Sequence, residues 1–225
     1  MSNKYLPKFV SVLLSALLLS SIPCLVMAQD VATPPAQDVA TAPAESLDFS
    51  KLPEPMDFAK SQYAQALKLN AMAPSADRDT KIKAFVDALI DYDNFAERSL
   101  GDKWPTLSSD KQTEFKSLFK SLLELTYLKK LSDKAFKDNY NIEWDRVIKS
   151  RTAATVSCFT KQKDVETELE IVMHAANNSW EIFDVLVDGA SLAKTYQKKY
   201  AKKIDEKGVD NIIADMKTEI EKLKK

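Results

Sequence analysis

Four positions carry side chains able to do chemistry. Asp184 and Asp188 lie four residues apart at the end of an apolar run, Trp180 to Val187. Two carboxylates in an apolar setting can divide into a general acid and a general base. The same residues more commonly anchor a turn or a neighbouring helix, and that is the expectation here. His174 is the only histidine in the chain, and near a strand end it reads as an ordinary edge residue. Cys158 is the fourth. The sequence shows no ligand cluster for a metal. With three glycines in all, it also has no Gly-x-Ser-x-Gly elbow and no phosphate-cradling loop. A protein without enzymatic activity, metal or cofactor is expected. The rival reading is an α+β cone-fold enzyme using Asp184 or Asp188.

Residues 1–28 read as an export signal. Lys4 and Lys8 form its basic start, Phe9 to Leu19 an apolar run, and Val26-Met27-Ala28 the small-residue end at which a signal peptidase cuts. Pro23 disfavours lipidation at Cys24. A periplasmic location follows as an expectation. Cys158 is then the only cysteine left, so no intramolecular disulfide can form. The net charge is −1, and losing the leader's two lysines makes the chain more acidic, so nucleic acid is not an expected partner. Residues 29–50 hold the sequence Gln-Asp-Val-Ala-Thr twice, at 29–33 and 37–41, in an Ala- and Pro-rich context. This is the composition of a disordered tether. Residues 51–225 are long enough for one domain held by its own core.

The elements that must position these side chains divide into a helical half and a sheet half. Helix-period apolar stripes run over Met56 to Met72, from Ser75 to Ile90, over Asn94 to Leu100, and from Ser109 onward, where Ser109 and Gln112 suggest a capping box. After Asn139 the period becomes two. Strands are expected at about 140–149, 151–160, 165–175 and 180–188. In the third, Val165, Thr167, Leu169, Ile171 and Met173 face inward while Glu166, Glu168 and Glu170 face water. In the fourth, Ile182 and Leu186 fall on one face and Phe183, Val185 and Val187 on the other. Turns are read at Lys161 to Asp164 and at Asn177-Asn178. Two amphipathic helices follow, separated at Gly208. The class is α+β, with helices packed on a curved four-stranded antiparallel sheet.

The strongest positive signal is apolar. Trp104, Phe115, Phe119, Leu122, Leu125, Leu128, Val147, Val156, Ile171, Met173, Val185 and Val187 can meet between the long helix and the sheet, as a solid core or as the lining of a cavity. Lys194, Lys198 and Lys202 recur every four residues on the closing helix. They form either a solvated face or a docking patch for an acidic partner or anionic headgroups.

Three motifs resemble the MlaC-type family of periplasmic phospholipid-shuttle proteins, also called the toluene-tolerance family. They are Asp91-Tyr92-Asp93-Asn94-Phe95 with Leu100-Gly101 and Trp104; Gln112 with Phe115, Phe119 and Thr126-Tyr127; and Trp180-x-Ile182-x-Asp184-Val185 followed by Asp188-Gly189-x-Ser191-Leu192 and Tyr196. The likeness covers about residues 56 to 215. One departure is Tyr196-Gln197, where the family usually has Tyr-Arg. The resemblance implies a monomeric carrier whose only ligand is a bound phospholipid, with acyl chains between helices and sheet and the headgroup in solvent. Its implied partners are an outer-membrane lipoprotein–porin complex and an inner-membrane ABC transporter with its substrate-binding-type membrane protein. Traffic between them keeps the outer membrane asymmetric. A hopanoid or another apolar lipid is the alternative cargo.

Overall fold

A computed structural model describes residues 51–131, 141–162 and 165–224; the expected leader (1–28), the tether (29–50) and the end of the Lys161 to Asp164 turn lie outside the described residues. The helical half comprises α1 (Pro55–Ala71), α2 (Ala76–Asp87), α3 (Tyr92–Leu100), a 3-10 turn (Gly101–Thr106) and α4 (Ser109–Leu131). The sheet comprises β1 (Asn141–Lys149), β2 (Ala153–Gln162), β3 (Val165–Ala176), β4 (Ser179–Val187) and β5 (Ala190–Ser191), followed by α5 (Leu192–Lys207) and α6 (Val209–Leu223).

The helix starts follow from local polar chemistry. Pro55 opens α1, where a missing N–H costs nothing. The Ser75 hydroxyl accepts from the Arg78 N–H at 3.1 Å to cap α2, and the Asp91 carboxylate accepts from the Asn94 N–H at 2.9 Å to cap α3. The expected Ser109–Gln112 capping box is not formed. Ser108 takes the cap position instead, accepting from the Lys111 N–H at 3.4 Å. Gln112 is then one place too far along, and its amide donates to the Trp104 carbonyl at 3.0 Å. This ties α4 to the 3-10 turn.

The sheet is an antiparallel meander in the order β1-β2-β3-β4-β5. It has five strands rather than the four expected. Asn177 and Asn178 (φ 50° and 58°) close the β3–β4 hairpin as anticipated. Asp188 and Gly189 (φ 48° and 76°) make a second two-residue hairpin, which lays Ala190 and Ser191 beside Val187 and Leu186. Positive φ at both central residues matches the strand twist, and Asp-Gly is a preferred pair for that geometry.

The face assignment in β4 also needs correction. Leu169, Ile171 and Met173 pair with Val187, Val185 and Ile182, and Val172 pairs with Asp184. Phe183 is therefore an extra residue in β4, a β-bulge, and it flips the alternation. Trp180, Ile182, Val185 and Val187 share the inner face with Leu169, Ile171 and Met173. Glu168 and Glu170 lie on the outer face, where Arg146 bridges both at 3.3 and 3.4 Å.

The core falls into distinct clusters. The largest joins α2 to α6 and is centred on Phe115 and Phe119, both fully buried. Phe119 stacks on Phe115 (5.8 Å) and meets Phe95 (5.4 Å) and Tyr196 (5.5 Å) edge to face. A second cluster packs Phe58 and Ala59 of α1 onto Ala154, Val156, Met173 and Trp180 of the sheet. A small third cluster holds Cys158, Leu169 and Val187.

Gly101 links the motifs across this bundle. Its backbone (φ 53°, ψ −127°) lies in a region that side chains with a Cβ rarely enter, and an added Cβ would sit 1.8 Å from the Gln197 amide nitrogen. Gly101→Ala is expected to destabilise the fold by about 1–3 kcal/mol, measured by urea unfolding. The second variant Gln197→Ala should relieve the clash but not the backbone strain.

Candidate functional site

The inner face of the sheet is mostly apolar, with the buried pair Thr160 and Thr167 at one end. Trp144 and Val147 come from β1, Val156 and Cys158 from β2, Leu169, Ile171 and Met173 from β3, and Trp180, Ile182, Val185 and Val187 from β4. The helix lying over β1 and β2 is α1. Its N-terminal end is fastened: the Trp180 indole N–H donates to the Pro53 carbonyl at 2.8 Å, and the Lys149 ammonium donates to the Glu54 carboxylate at 2.8–2.9 Å. Its C-terminal end sinks Leu69 into the helical core. Between these anchors Tyr63 and Ala66 are half-buried and Leu67 is 40% exposed. Tyr63 meets Trp144 edge to face at 6.2 Å.

Burial on this face is incomplete, both on the middle strand and on the edge strand β1. Ile171 is on the middle strand, in register between the buried Val156 and Val185, yet it is only half-buried, as are Trp144, Val147 and Ile182. An aliphatic side chain at the middle of a covered sheet normally closes completely. The aromatic helical cluster, by contrast, is filled with its own side chains.

The expected lining residues are accordingly divided. Phe115, Phe119 and Leu122 are buried inside the helical cluster, with Trp104 and Leu125 packed against it. Val156 and Met173 are buried under α1, with Val147 and Ile171 beside them. Val185 belongs to the helical cluster and Val187 to the third. The side chain of Leu128 lies outside the described residues. The sequence reading missed α1 as a cover; Met56, Ala59 and Tyr63, at i, i+3 and i+7 along one stripe, were the available signal.

The other candidates have local explanations. Asp184 is buried and its oxygens are engaged. It accepts from the Val185 N–H (2.8 Å), the Ala193 N–H (3.0 Å) and the Ser191 hydroxyl (2.5 Å), while the Ser191 oxygen accepts from the Lys194 N–H to cap α5. Burial raises the Asp184 carboxyl above its ordinary range, opposed by these hydrogen bonds and by the charge of Arg98. Ionising it therefore costs the folded chain more than the unfolded one, and its contribution to stability declines as pH rises through that range. Asp184→Ala orphans the donors at the α5 start and is expected to cost about 1–3 kcal/mol, read from thermal unfolding. Asp188 is exposed and accepts from the Glu168 N–H at 3.0 Å, holding the hairpin. Burial pushes the Cys158 thiol up to about 12, so it stays protonated and unreactive. Lys194, Lys198 and Lys202 are exposed along α5. His174 lies on the opposite face of the sheet, 3.0 Å from Asp91.

Comparisons with known proteins fit this architecture. Among solved structures, the phospholipid-binding protein from Ralstonia solanacearum, determined in complex with a phospholipid, is similar with a TM-score of 0.61 at 19% identity, over 77% of this chain and 100% of that one. At that identity the likeness establishes the fold. No curated protein matches the sequence. The family model described as MlaC protein matches residues 60–218, most of the described domain. On that match, the chain belongs to the MlaC family.

Proposed function

We propose that this protein is a periplasmic phospholipid carrier without catalytic activity. The observation that carries the proposal is the inner sheet face, where Ile171, Trp144 and Val147 stay half-buried between β-strands and α1 while the helical bundle fills its own core. Acyl chains complete that burial. Membership of the MlaC family and the lipid bound by the Ralstonia protein support this choice of ligand. Each buried methylene is worth about 0.8 kcal/mol, so moving a chain of about sixteen carbons through water costs about 12 kcal/mol. A soluble protein with an apolar slot removes most of that barrier. The headgroup needs no clamp if it remains in solvent. In this reading cargo passes between an outer-membrane lipoprotein–porin complex and an inner-membrane ABC transporter, and exposed Lys194, Lys198 and Lys202 offer a docking stripe.

The test is mass spectrometry of lipid extracted from protein purified without detergent from its native compartment. Phospholipid at about one molecule per chain is expected. A polycyclic lipid would replace the cargo but keep the carrier. Lipid-free protein that also fails to take up fluorescent phospholipid overturns the proposal.

A further inference from the structure

Three ligand-type side chains from separate parts of the chain converge on the sheet face opposite the apolar one. His174 and Glu181 are cross-strand partners on β3 and β4. Asp91 arrives from the α2–α3 connection, which docks on β4: the Asp91 N–H donates to the Ile182 carbonyl at 2.9 Å and the Ile182 N–H to the Leu89 carbonyl at 2.8 Å. The Nε2 of His174 lies 3.0 Å from Oδ2 of Asp91 and 3.9 Å from Oε2 of Glu181. One donor atom from each residue falls within 4.8 Å of the other two. Ligands around a tetrahedral zinc ion with bonds of about 2.0–2.1 Å stand about 3.3 Å apart, so small side-chain shifts bring this set onto a metal.

The surroundings are those of a supported site. The second oxygen of each carboxylate is occupied, Oδ1 of Asp91 by the Asn94 N–H at 2.9 Å and Oε1 of Glu181 by the Asn177 amide at 3.3 Å. This leaves Oδ2 and Oε2 facing the imidazole, and such outer partners orient metal ligands. The Nε2 of His174 is shielded from solvent, and its nearest polar neighbour is Oδ2 of Asp91. The ring is held edge-on by Phe183, the bulge residue, at 5.4 Å. Arg98, the cation lying over Phe183, donates to the Asn94 side chain rather than to either carboxylate.

We propose that Asp91, His174 and Glu181 bind one divalent transition-metal ion of the zinc class, with water in the fourth position. Two carboxylates and a neutral imidazole balance a dication, and the imidazole favours zinc-like ions over magnesium or calcium. The ion joins the α2–α3 connection to β3 and β4, so it fastens the helical half to the sheet at a point away from the apolar face. The site does not depend on the lipid reading.

The test uses exported, untagged protein stripped with EDTA and then equilibrated with zinc chloride. One zinc per chain is expected by elemental analysis after dialysis, with a rise in Tm as zinc increases. His174 is the only histidine, so a single set of imidazole NMR signals should shift in step. Glu181→Gln keeps the His174–Asp91 contact and the fold but is expected to weaken zinc binding by about tenfold or more; His174→Ala should abolish it. Unchanged zinc binding in folded Glu181→Gln, no retained zinc in the parent protein, or an equal response to magnesium would each overturn the proposal.

Discussion

Phe119→Ala is expected to lower the unfolding free energy by about 3–5 kcal/mol, the largest stability loss anticipated for a single substitution here. The ring is fully buried and contacts Phe95, Phe115 and Tyr196 within 5.4–5.8 Å. Truncation removes the burial and the edge-to-face contacts together, and three neighbours on three helices leave little freedom for collapse. Urea unfolding followed by tryptophan fluorescence measures it. A loss below about 1 kcal/mol would mean that this cluster is loose, contradicting the contrast drawn between a filled helical core and an incompletely closed sheet face.

Ile171→Trp is expected to abolish phospholipid retention while leaving the fold intact. The added ring enters the space beside a half-buried residue at the middle of the inner face. If that space accommodates acyl chains, the larger side chain occupies it with little cost to stability, and detergent-free extraction recovers no lipid. If the space is closed core, overpacking costs about 1–3 kcal/mol and any lipid bound elsewhere is retained. Unfolding and lipid extraction on the same preparation therefore discriminate the two. The comparison substitution Leu123→Trp, in the helical cluster, should destabilise without this selectivity, because Leu123 is buried in a region already filled.

The two halves of the molecule divide its tasks on this view. The helical bundle supplies stability from aromatic packing that needs no ligand. The sheet and α1 supply an apolar surface whose closure is left partial. Trp180 and Lys149 hold one end of α1, and Leu69 holds the other, so the half-buried middle of the helix is where separation from the sheet costs least.

Local periodicity alone established the α+β class, the order of elements and the inward and outward faces of β3, because a repeat of two or 3.6 needs no knowledge of distant contacts. Asn177-Asn178 and Gly208 were legible as a turn and a stop from their tolerance of positive φ. Asp188-Gly189 carried an equally clear hairpin signal, yet β5 is too short to leave a periodic trace. Tertiary structure decided the rest. One extra residue at Phe183 reassigned the faces of β4, and alternation cannot reveal where a bulge falls. The choice of α1 rather than α4 to cover the sheet depended on how whole helices dock, and both carry suitable apolar stripes. The meeting of Asp91 with His174 and Glu181 was invisible in the sequence, since residues so far apart become neighbours only when the chain between them has folded.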